Sequence, residues 1–152
     1  MFISKNIEKI NTILKAFLFN ILWLFFIKFF LFFIYSEDLV KILSKDLSNI
    51  KSVIFENCFL APIWEEFVFR VFPLTVILSL NKKNKEELLI PTIIFTSIIF
   101  GLAHGNPMNI LIQSAGGVIM SYIYLEYRSY MWCVIYHSFW NFFFIILSLF
   151  LK

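Results

Sequence analysis

The sequence predicts an all-α fold, a polytopic transmembrane helical bundle of about five spans with one short interfacial helix. Two observations carry that expectation. Of the 152 residues, 61% are hydrophobic and 15% charged, against about 45–50% and about 25% in an ordinary soluble domain. The apolar residues also fall in runs of the length a bilayer demands, since a hydrocarbon core of about 30 Å takes about 20 residues of helix. A soluble fold of this size has too little polar surface to cover such a composition. An ordinary soluble domain, a disordered chain and a disulfide scaffold are therefore excluded.

The expected spans are 13–35, 52–80, 88–105, 108–127 and 130–151, which leave residues 1–152 as a single membrane domain without an internal repeat. The first span holds the Phe/Leu/Ile run from Ile21 to Ile34. That run is too long for the core of a signal peptide and lacks a small-residue cleavage site, so it reads as a retained helix. Lys15 and Lys28 lie near its ends, where long side chains reach the headgroups. Between Glu37 and Lys51 the pattern changes: Leu39, Val40, Leu43, Leu47 and Ile50 recur at helical spacing while Lys41, Lys45 and Asp46 fall elsewhere. This is the signature of an amphipathic helix on the membrane surface.

Orientation follows from the basic residues of the loops. Lys5, Lys9, Lys15, Lys82, Lys83, Lys85 and Arg128 share one side, seven in all, against Lys41, Lys45, Lys51 and Lys152, four, on the other. The majority places the N-terminus in the cytoplasm of a bacterial-type cell membrane. A net charge of +3 so distributed is no nucleic-acid signal. The expected partners are the lipid bilayer and a membrane protein or lipidated peptide. Cys58 and Cys133 fall inside spans and read as small apolar residues.

The informative residues are those costly in hydrocarbon, where one ionisable side chain near the bilayer centre costs at least about 2.5–3.5 kcal/mol. Three clusters stand out. Glu65, Glu66 and Arg70 sit in the second span. Glu66 and Arg70, at i and i+4, share a helix face, while Glu65 lies about 100° round. Glu66 and Arg70 read either as an internal ion pair or as part of a site in which Glu65 is a general base. His104 follows Gly101 and Ala103 near the end of the third span, and His137 with Asn141 shares a face of the fifth. Each His reads either as an interhelical hydrogen-bond partner or as a working group. Together the clusters supply groups that can activate water and hold an oxyanion. Glu65, His104 and His137 are also near the make-up of a catalytic zinc set, although the His-Glu-x-x-His helix motif is missing. No Ser or Cys has an obvious adjacent base.

These residues resemble a known family. Glu65–Arg70 is similar to the EExxxR signature of the CAAX-protease and bacteriocin-processing (CPBP, or Abi) membrane proteins. Phe100–His104 is similar to their FxxxH motif and His137–Asn141 to their HxxxN motif, in the same order, with Ala61 and Pro62 ahead of the acidic pair as in the family. The resemblance covers about residues 52–145 and extends to the type II CAAX prenyl endopeptidases. It implies that Glu65 and His104 activate the attacking water, that His137 and Asn141 form the oxyanion hole, and that Glu66 and Arg70 support the site. It implies no cofactor, with zinc on Glu65, His104 and His137 as an open variant. The chain departs from the family in carrying Val71, where many members have Gly, and in having room for about five helices instead of about eight.

The expected function is therefore an intramembrane endopeptidase acting on a membrane-embedded or prenylated substrate. The competing readings are a non-enzymatic bacteriocin-immunity or binding protein, and an ion-coupled carrier, against which stands the lack of inverted repeats. Gln113, Gly116 and Gly117 read as helix-packing positions, Glu126 and Arg128 as solvated edge residues, and Glu56 as interfacial. Trp64 and Trp140 read as packing residues, and Asn20 and Asn57 have no assigned place. On these spans His104 and His137 fall toward opposite sides, so the helices must tilt or shift for the two to meet.

Overall fold

The computed structural model describes residues 2–32, 49–105 and 107–150. Most of the segment expected as a surface helix, 37–51, lies outside them. Among the described residues every regular element is helical. Helix α1 runs Phe2–Phe32. A long rod over 50–79 is built from α2 (Ile50–Phe55), a π-turn π1 (Glu56–Leu60), α3 (Ala61–Glu66), a second π-turn π2 (Phe67–Val71) and α4 (Phe72–Ser79). Then come α5 (Lys82–Leu102), α6 (Pro107–Tyr127) and α7 (Tyr130–Phe150).

The rod is continuous because the residues at every junction keep right-handed helical dihedrals. Its two π-turns have an identifiable cause. Proline gives no N–H and its ring crowds the carbonyl four residues back. Each π-turn ends two residues before a proline, Leu60 before Pro62 and Val71 before Pro73. The ladder widens there to i→i+5 bonds, from Ala61 N–H to the Glu56 carbonyl and from Phe72 N–H to the Phe67 carbonyl. Such π-turns occur often at functional sites, and this pair brackets the segment that carries the acidic residues.

Helix α5 starts earlier than its apolar run. Asn81 caps it by accepting from the Asn84 N–H, so Lys82, Lys83 and Lys85 ride on its first turns. Helices α5 and α6 form a tight antiparallel pair. The rod lies against both through π2 and against α7 through π1 and α3, while α1 packs on α6. A buried hydrogen bond from Asn20 to the Tyr136 hydroxyl joins α1 to α7, and Phe17 packs against Phe139, Trp140 and Phe143. The core is Leu74, Ile93, Phe100, Ile119, Met120, Ile123, Tyr124, Cys133 and Tyr136. Cys58 and Cys133 are buried and outside any disulfide.

The polarity is inverted relative to a water-soluble bundle. Glu66, Arg70, Ser97, Ser121 and His137 are buried, whereas Trp64, Phe72, Phe95, Met131 and Phe139 face outward. Among the described residues one stretch, Tyr130–Leu147, is both long and apolar enough to cross a bilayer by length and composition. Three of the other expected spans fall short of that measure for visible reasons. The charged first turns of α5 leave it a short apolar remainder, α6 carries Gln113, Ser114, Gly116, Gly117 and Ser121, and the rod carries Glu65, Glu66 and Arg70.

Candidate active site

The three polar clusters come from α3 with π2, from the end of α5, and from α7. Helix α3 delivers Glu65 and Glu66, and π2 delivers Arg70. Arg70 Nη1 lies 3.3 Å from Glu66 Oε1, both side chains fully buried. The same Oε1 lies 2.7 Å from Nδ1 of His137, itself 2% exposed. A carboxylate paired with Arg70 only accepts, so His137 donates its Nδ1–H to Glu66. The other ring nitrogen, Nε2, faces Oε2 of Glu65 at 3.6 Å. Glu65 is the accessible member of the group, 28% exposed in its side chain. The two adjacent acids thus bracket one imidazole, Glu66 from inside and Glu65 from the open side.

His104 lies two residues past the end of α5 and spends Nδ1 on the Phe100 carbonyl of that helix, at 2.8 Å. A carbonyl only accepts, so Nδ1 carries the proton and the neutral ring keeps an acceptor at Nε2. His104 and His137 do meet, through a third ring. Phe100, fully buried, has His104 edge-on at 4.8 Å and His137 edge-on at 5.8 Å between centroids. The Arg70 guanidinium carbon sits 3.8 Å from the Phe100 centroid. Phe100 opens the FxxxH motif, and its place four residues before His104 sets it on the same helix face.

Asn141 Nδ2 donates to the Asn57 carbonyl at 2.7 Å. In the rod's first π-turn Ala61 N–H goes to Glu56, and Pro62, five residues past Asn57, has no N–H. Nearby, the Tyr130 hydroxyl donates to the Ile63 carbonyl and ties α7 to α3. Gly117 of α6 also belongs to this neighbourhood, since it stands against Arg70.

The remaining positions fall outside the cluster. Gln113 is half-buried, while Glu126, Arg128 and Trp64 are exposed and Trp140 is buried. Glu56 is exposed and accepts from the Ser52 hydroxyl at 2.6 Å. The zinc variant finds little support in the donor set. Both ring nitrogens of His137 face carboxylates, and among the described residues no three His, Cys, Asp or Glu side chains are gathered as metal ligands.

Carboxylates and imidazoles gathered within a helical bundle are a set that acid–base hydrolysis employs. The chain's affiliation makes that class specific. The family model described as Type II CAAX prenyl endopeptidase Rce1-like matches residues 48–143, and the chain belongs to that family of proteases. The matched segment contains the rod, α5, α6 and most of α7, and so all three polar clusters. No curated protein and no solved structure matches the chain.

Proposed function

We propose that this protein is an intramembrane endopeptidase that cleaves a prenylated or otherwise membrane-held protein or peptide, with water as nucleophile. The observation that carries the reading is the imidazole of His137 bracketed at 2.7 and 3.6 Å by Glu66 and Glu65. In it, Glu65 is the general base because it is the accessible acid, and His104 assists with its acceptor Nε2.

The water oxygen adds to the scissile carbonyl carbon while its proton passes to Glu65. Negative charge develops on the carbonyl oxygen, where preorganised donors have their largest effect. His137 and Asn141 supply those donors. With Nδ1–H committed to Glu66, His137 donates from Nε2 as the imidazolium. Two carboxylates then stand against Arg70 and one imidazolium, a neutral sum, which is the balance a buried cluster requires. Collapse of the intermediate breaks the C–N bond, and Glu65 returns its proton to the departing amine. No step passes through a metal ion.

The outward apolar side chains and inward charges favour a bilayer as the medium, with α1, the rod and α5 to α7 as the spans. The test is turnover of a prenylated CAAX peptide by the full chain in lipid vesicles. Glu65→Gln is expected to lower turnover at least about 10²-fold, the scale of a lost general base. Turnover equal to wild type overturns the reading.

A further inference from the structure

Helix α6 contributes none of the three motifs, yet one of its backbone positions touches the site. A Cβ placed on Gly117 would stand 2.8 Å from Arg70 Nη2 and 3.0 Å from both Cα and Cβ of Ser97. Arg70 has little freedom to retreat. It is fully buried, its guanidinium lies 3.8 Å from the Phe100 ring centroid, and its Nη1 is engaged with Glu66. Ser97 Cα is the backbone of α5, so it yields only if the two helices part. The adjacent Gly116 contrasts with this: a Cβ there would meet Met120 Cε at 3.7 Å, an ordinary contact. Two neighbouring glycines on one helix therefore do different work. Gly116 tolerates a methyl group, whereas Gly117 occupies the place where Arg70 needs room.

We propose that Gly117 is a positioning residue for the hydrolytic site. The missing side chain lets the Arg70 guanidinium lie flat between α6 and Phe100, in reach of Glu66, and Glu66 in turn fixes the His137 ring. Small residues between helices commonly serve close backbone approach alone. Here the tightest contact is with a charged side chain that belongs to the site. The catalytic half of this inference rests on the protease reading above; the structural half does not.

The experiment uses the full chain, 15N-labelled on histidine and reconstituted in lipid. The chain has two His, and His104→Gln assigns their ring signals. Gly117→Ala is expected to move the His137 ring nitrogens in the direction that Arg70→Lys moves them, with His104 unmoved. Gly116→Ala is expected to move neither. Unmoved His137 signals in folded Gly117→Ala overturn the proposal. Should Gly117→Ala fail to fold, the double variant with Arg70→Lys decides, because lysine lacks the Nη2 atom that collides. Recovery of the fold supports the proposal, and no recovery puts the collision at Ser97 and overturns it. With a prenylated peptide, Gly117→Ala is expected to lower kcat by about 10²-fold, the scale of a small misplacement at a reacting centre, with KM little changed. Absence of cleavage by the wild type counts against the protease reading alone, since the nitrogen signals need no turnover.

Discussion

The Arg70 guanidinium lies against the face of Phe100, its central carbon 3.8 Å from the ring centroid, with both side chains fully buried. This contact joins the first motif to the second. Phe100 also meets both imidazoles edge-on, so one apolar ring sets the spacing of three polar groups. Phe100→Leu keeps most of the volume and removes the aromatic face. A desolvated cation–π contact contributes about 2 kcal/mol, so this variant is expected to lose about that much stability, together with at least tenfold in turnover (about 1.4 kcal/mol per factor of ten). Thermal unfolding and peptide turnover, measured on one preparation, check both.

The Glu66–Arg70 pair is buried on both sides. Removing one member of such a pair strands the other charge and typically costs about 3–5 kcal/mol, whereas replacing both by apolar groups is often neutral. Arg70→Met is therefore expected to unfold far more readily than wild type, and the double variant Glu66→Leu/Arg70→Met to recover most of that loss. The double variant should remain inactive, because His137 then has no acceptor for its Nδ1–H. Unfolding in detergent beside turnover separates the two effects, and an active double variant would remove Glu66 from the site.

The helices were legible in the sequence because long apolar runs dictate them. The expected spans 52–80, 108–127 and 130–151 match elements at 50–79, 107–127 and 130–150 to within two residues. For 88–105 the observed start is six residues earlier, at Lys82, because the Asn81 cap, and not hydropathy, sets the boundary. The pairing of Glu66 with Arg70 was legible as well, since i and i+4 share a face of any helical turn. What the sequence hid was relative placement. His104 and His137 looked too far apart because helical spacing fixes an angle about each axis and says nothing about how neighbouring axes cross. The π-turns escaped for a different reason: Pro62 and Pro73 signal a disturbed ladder, but not whether the rod kinks, stops or widens.

The outward apolar surface makes a prediction about the medium. Trp64 is 67% exposed and Trp140 only 3%, though each sits beside a site residue. In vesicles containing brominated lipids, a variant retaining Trp64 as its single tryptophan is expected to be strongly quenched. One retaining Trp140 alone is expected to be protected. Equal, weak quenching would place α3 in water and remove the bilayer from the proposed mechanism.

Pro62 links the first motif to the third. It has no N–H to give the Asn57 carbonyl five residues back, to which Asn141 donates at 2.7 Å. Pro62→Ala restores an N–H at that position. The new donor can close the ladder onto Asn57 and compete with the Asn141 amide for the same oxygen. A neutral hydrogen bond is worth about 1 kcal/mol net, and the helix gains a bond as the amide loses one, so stability should change little or rise. Turnover should fall, because the amide loses the anchor that orients it toward a developing oxyanion, where one misplaced donor costs about 10²–10³-fold. Asn141→Ala should reproduce the loss of turnover, and adding Pro62→Ala to it should then cost little more. Additive losses in that double-variant cycle would mean that the proline acts elsewhere along the rod.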